Sequence, residues 1–220
     1  MSTSPPIKLD LSRIAHDLRG PLMPMRTAAW LLRNENVEAA RLTDLAEIVD
    51  RQSVRLARML DELSDWGRLQ GKETPLICEH VDLALTVDNA IGSLTGCRSE
   101  PIITEQAAAF PLNGDAHRLA QLLRILIEHA AQRAPDHSPE ITLRVASKQL
   151  EIRVQDQGKP LDASERQELL HQPQPTPFDD GLGLRLLLAR MIAEAHGGKL
   201  EVDPNVEHGL SIICALPPAK

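Results

Sequence analysis

Residues 15–26 read "AHDLRGPLMPMR", a stretch with helical spacing on either side that nonetheless carries Gly20, Pro21 and Pro24. Each interior proline removes a backbone donor and costs about 3 kcal/mol or more. Pro21 cannot donate to the carbonyl of Asp17, nor Pro24 to that of Gly20. The apolar phase still runs through both. Leu11, Leu18, Met25 and Leu32 recur at seven-residue spacing, with Ile14, Ala15, Leu22, Ala28 and Ala29 in the neighbouring stripe. That continuity predicts one kinked helix rather than two separate ones. Asp10 or Ser12 suits its N-cap. After the polar turn "NENVEAA" (34–40), Leu42, Val49, Leu56 and Leu63 hold one slot of a second helix. Leu45, Met59 and Trp66 hold the next, interrupted by Gln52. Two such helices form an antiparallel hairpin whose apolar stripe is only half covered. A second copy would complete a dimeric four-helix bundle, so a homodimer is expected.

The period breaks at "WGRLQGKETP" (66–75), which divides the chain into an all-α helical hairpin over residues 1–70 and a second domain over 71–220. In the second domain "HVDLALTVDNAIGSL" (80–94) and "GDAHRLAQLLRILIEHAAQRA" (114–134) read as helices. "EITLRVAS" (140–147), "QLEIRVQD" (149–156) and "GLSIICALP" (209–217) alternate as strands do. "GLGLRLLLARMIAEAHGG" (181–198) is a helix with glycines at its entry and Gly197–Gly198 as its stop. Helices interleaved with paired strands indicate an α+β two-layer sandwich. The one low-complexity stretch, "HQPQPTPFDD" (171–180), reads as a loop that can move.

Of the 220 residues 42% are hydrophobic and 25% charged, enough to bury a core, and the few aromatics make that core aliphatic. A formal net charge of −7 argues against nucleic acid or an anionic membrane as partner. No run of about 18 apolar residues and no secretory leader occurs, so no membrane insertion and no membrane sensor are expected, and the location is expected to be cytoplasmic. Cys78, Cys97 and Cys214 have no metal-ligand spacing and read as reduced thiols; no metal site is expected.

On the heptad register His16 falls on the outward face of the first helix. Most exposed helical histidines are merely solvated. A kink within two turns and a carboxylate next door point instead to a reactive imidazole, with Asp17 accepting one ring proton and sharpening the other nitrogen as a nucleophile. "HDLRGPLMPMRTAAWLLR" (16–33) resembles the phosphoacceptor box of two-component sensor histidine kinases. The resemblance implies that His16 is the phosphoacceptor, Asp17 the assisting base and Pro21 the bend. It also implies phosphate exchange with an aspartate on a response-regulator receiver domain, docked on the exposed parts of Met25–Arg33 and the second helix. Where the family often has threonine or asparagine for phosphatase work this chain has Gly20, so phosphatase activity of that type is not expected.

The second domain resembles the family's Bergerat-type (GHKL) ATP-binding domain over its whole length. Gly181 and Gly183 permit close backbone approach, and a helix N-terminus behind them favours phosphate. By resemblance Asp156 accepts from the adenine amino group and Gly158 gives the base room. The rest of the site reads as degenerate. The metal-binding asparagine aligns with His129, and imidazole is a poor ligand for Mg²⁺. Ile125 and Gln132 replace further polar positions, and Pro160 replaces a glycine. Glu128 is turned about 100° away from His129 around the helix. Three functions follow. The one preferred here is a histidine phosphotransferase that passes a phosphoryl group on His16 to or from a receiver aspartate, with impaired ATP use and an upstream sensor kinase as a further partner. The others are an active ATP-dependent protein-histidine kinase, with ATP and Mg²⁺ as cofactors, and a non-catalytic module that binds kinases or receivers.

Overall fold

A computed structural model describes residues 9–34, 38–71, 75–94, 99–175, 177–178 and 181–219. Cys97 and part of the 171–180 loop lie outside them. The chain divides into two compact units: Met1–Gly67 with Gln174–Leu184, and Arg68–Pro173 with Arg185–Lys220.

The first unit is built on α1 (Leu11–Asn34) and α2 (Ala39–Gly71). Asp10 caps α1, its Oδ1 accepting from Ser12 N at 2.9 Å and Arg13 N at 3.3 Å. As the apolar phase predicts, α1 runs unbroken through Pro21 and Pro24. Each helix has one buried seam: Ile14, Pro21 and Ala28 on α1, and Leu45, Met59 and Trp66 on α2. The slot headed by Leu11 is not the one buried: Leu11 is 74% and Leu32 40% exposed. Leu18 and Met25 are half-buried, as are Val49, Leu56 and Leu63 in the matching slot of α2, where Leu42 is exposed.

The second unit holds α3 (Leu83–Gly92), α4 (Glu105–Ala108), α5 (Ala116–Arg133), α6 (Ala163–Leu169) and α7 (Arg185–Ala195). A mixed five-stranded sheet has the order β2-β4-β5-β7-β6. Its strands are β2 (Ile102–Ile103), β4 (Glu140–Ala146), β5 (Gln149–Gln155), β6 (Lys199–Val202) and β7 (Ser211–Leu216). Only the β2–β4 pairing is parallel. A separate two-stranded ladder joins β1 (Glu79–His80) to β3 (Asn113–Gly114). The alternation read from sequence places one face of each strand inward. Leu143, Ile152, Cys214 and Leu200 pair in one row across four strands, and all four are buried. The other half of the core is Leu119, Leu122, Leu123, Leu126 and Ile127 of α5, whose spacing is that of one helical face, with Leu186, Leu187 and Ile192 of α7. Each fully buried side chain of this size contributes about 1.5–3 kcal/mol. Asp115 caps α5 and accepts from Arg118 N at 3.1 Å. No helix among the described residues is long and apolar enough to cross a membrane.

Candidate functional site

His16 stands on α1 with its side chain 85% exposed, and its Nδ1 lies 3.2 Å from Asp17 Oδ1. Asp17 is itself held from the preceding turn, its Oδ2 lying 3.6 Å from Arg13 Nε. A proton on Nδ1 can be donated to that carboxylate, and in that tautomer Nε2 carries the lone pair. Pro21 is buried on the seam below, whereas Pro24 is exposed.

Arg13 also reaches the proline-rich loop. Its guanidinium donates to Gln174 O at 3.1 Å, and Gln174 N donates to Gly183 O at 3.0 Å. Gly183 has φ +76, and a Cβ there would lie 2.3 Å from Gln174 O, so only glycine fits. The backbone that Gly183 admits is that of Gln174. The flanking N–H groups of Leu182 and Leu184 both donate, at 3.2 Å, to Oε2 of Glu62 on α2, and Glu62 is buried. Gly181 is buried in the same run. The donors that the Gly-x-Gly pattern offers to a phosphate are engaged by a carboxylate of the chain itself.

In the second unit Asp156, 2% exposed at the end of β5, is enclosed on every side. Its Oδ1 accepts from Gly158 N at 2.7 Å and Leu210 N at 3.2 Å, and its Oδ2 from Arg133 Nε at 2.8 Å. The Arg133 guanidinium donates as well to Lys159 O. A Cβ on Gly158 would lie 2.8 Å from Arg133 O and 3.0 Å from Asp156 Oδ1. A side chain at Gly158 would therefore run into the C-terminal end of α5. Gly209, with φ +73, passes so close that a Cβ would lie 1.9 Å from Asp156 O. His129 is buried on α5. The Glu128 carboxylate pairs with Arg185 at the start of α7. An imidazole and an engaged carboxylate are not the hard, available oxygen set that Mg²⁺ requires, and the residues here do not fit that ion.

Sequence reasoning located His16, Asp17, Asp156 and the glycines but not their partners Arg13, Glu62, Arg133, Gln174 and Gly209. It also missed His196, whose Nε2 accepts from Asp115 N at 3.0 Å while Nδ1 lies 2.7 Å from Ile192 O, tying the end of α7 to the cap of α5. The one available signal was the acid at Glu62, set between Met59 and Trp66 on the buried side of α2.

Two family models match the chain. Residues 11–72 match the His Kinase A (phospho-acceptor) domain, and residues 114–220 match the histidine kinase-, DNA gyrase B- and HSP90-like ATPase. The chain is 26% identical over 210 residues to the sensor protein ChvG of Rhizobium meliloti, covering 86% of this chain and 36% of that protein. It is 27% identical over 218 residues to the sensor histidine kinase MtrB of Mycobacterium tuberculosis, covering 94% and 38%. The chain therefore spans little more than a third of the length of these relatives. Among solved structures, the Acinetobacter baumannii histidine kinase AdeS superposes with a TM-score of 0.70 at 17% identity, over 93% of this chain and 98% of that one. The histidine kinase ThkA, solved in complex with the response regulator protein TrrA, gives 0.73 at 19% identity, over 94% and 60%. ShkA, solved in complex with AMPPNP, gives 0.70 at 18% identity, over 96% and 47%.

Proposed function

We propose, from the premise that this chain belongs to the two-component sensor histidine kinase family, that it carries a phosphoryl group on His16 and exchanges it with the aspartate of a response-regulator receiver domain. The observation that carries this reading is the exposed imidazole whose Nδ1 faces Asp17. In the receiver-to-histidine direction, the Nε2 lone pair attacks phosphorus of the aspartyl phosphate. The P–O bond breaks and its electron pair leaves on the receiver carboxylate. The Nδ1 proton of the phosphohistidine is held by Asp17, which disperses the positive charge of the ring. The reverse transfer retraces these steps. Arg13 orients Asp17, and Pro21 bends α1 beneath the ring.

In this reading the hairpin (1–70) is the dimerising acceptor and the remainder (71–220) the nucleotide-binding domain. By resemblance Asp156, Gly158 and His129 are its nucleotide-binding positions in the second unit, and Gly181 and Gly183 those of the glycine box. The match to the ATPase family model supports ATP as the nucleotide. ATP use is impaired, because Asp156 and the Leu182 and Leu184 N–H groups already have partners within the chain. The apolar stripe at Leu11, Leu32 and Leu42 is the homodimer face. The protein works in the cytoplasm, beside an upstream kinase that supplies phosphate. The match over residues 114–220 also favours a second reading, direct ATP-dependent autophosphorylation.

The deciding experiment incubates the chain with γ-labelled ATP and Mg²⁺, and separately with a labelled phospho-receiver, beside a His16→Ala control. Acid-labile, base-stable label taken from the receiver and absent in the control is the expected result, with little or none from ATP. Strong label from ATP establishes the second reading. No label from either source leaves a binding module.

A further inference from the structure

We infer that Arg133 is an affinity-determining residue of the nucleotide site: its guanidinium occupies the donor position on Asp156 that a purine amino group would take, so a nucleotide reaches that carboxylate only by displacing it. The inference rests on the reading of Asp156 as the base-binding acid given above. Arg133 is the last residue of α5, and its side chain is 9% exposed against 2% for Asp156. It bridges both ends of the loop that carries Gly158, bonding to Asp156 Oδ2 and to Lys159 O. Two backbone donors, Gly158 N and Leu210 N, hold Asp156 Oδ1.

The competition at Oδ2 is unequal. A guanidinium–carboxylate bond has charge on both partners and is roughly twice as strong as a neutral one. An exocyclic amino group of adenine is a neutral donor. Freeing Oδ2 for it also strips Lys159 O of its donor, and removing one partner of a buried pair leaves the other charge uncompensated. The base end of the pocket is therefore filled from within, and the affinity that the fold offers a nucleotide is reduced by the cost of expelling Arg133. A residue that merely stapled the loop would behave differently: its loss would lower stability and nucleotide affinity together.

The full chain is titrated with fluorescent trinitrophenyl-ATP, and with AMP as competitor, as wild type, Arg133→Met and Arg133→Gln. The glutamine variant keeps an amide donor for Lys159 O and guards against loss of fold, which circular dichroism checks. The same titration is run with Asp156→Asn added to each. The expected result is at least tenfold tighter AMP binding in the Arg133 variants, with the gain lost when Asp156→Asn is added. Equal or weaker binding by folded Arg133 variants, with Asp156→Asn still weakening all of them, overturns the role of Arg133 and leaves the nucleotide site standing. Binding that is absent throughout, or indifferent to Asp156→Asn, overturns the reading of Asp156 and this inference with it.

Discussion

Asp203, just past β6, shows how one carboxylate secures a strand connection. Its Oδ2 accepts from Arg153 at 2.6 Å, its Oδ1 from Asn205 N at 3.0 Å, and its own N donates to Ser211 O at 2.9 Å. The Asn205 N–H, aided by Arg153, holds this carboxyl below its ordinary value of 3.8. A lowered folded pKa means stability that is fully present above the unfolded value and lost as pH falls through the folded one. Asp203→Asn should therefore destabilise the domain by about 1–2 kcal/mol at neutral pH. The gap to wild type should close on acidification below the ordinary carboxyl range, as read by thermal melts across pH. A gap independent of pH would mean that shape, not charge, holds the turn. Cys214 illustrates the opposite effect of burial: with no charged neighbour to compensate, its thiol is pushed up to about 12.

At the scale of the element, α1 keeps two prolines that no packing helix needs. The helix is continuous across them, and only Pro21 is buried on the seam with Ile14 and Ala28. Replacing both with alanine restores two backbone donors and should raise stability by about 2 kcal/mol or more, less whatever Pro21 contributes to the seam. If the prolines bend α1 and so present His16, the same variant should transfer phosphate to and from a receiver several-fold more slowly. Thermal melting and single-turnover transfer, measured on one preparation, separate the two effects. Unchanged transfer at raised stability would make the bend incidental.

At the scale of the whole molecule, the hairpin leaves Leu11, Leu32 and Leu42 exposed on the stripe proposed as the homodimer face. Leu32 and Leu42 are 40% and 43% exposed, so Leu32→Asp with Leu42→Asp should leave each chain folded. On the proposed homodimer, the double variant should move the particle from two copies to one in light-scattering mass measurements. A mass equal to that of the wild type would place the interface elsewhere.

The sequence by itself determined the periodic and the local. Heptad spacing specified the hairpin and carried α1 through its prolines, because helix phase is set by residues three and four apart. Alternation specified β4, β5 and β7, and Asp10 and the paired glycines at 197–198 marked helix ends that the structure keeps. Strands of two residues, such as β1, β2 and β3, escaped because no period can be read from so few positions. The tertiary structure alone decided which of two apolar slots became the buried seam of each helix, because burial depends on what packs beside each face. It alone also decided the partners of the charged groups. Arg133 meets Asp156 23 residues away, and Glu62 meets Leu182 120 residues away. Such pairs follow from where the chain returns in space, and spacing along the chain carries no record of that return.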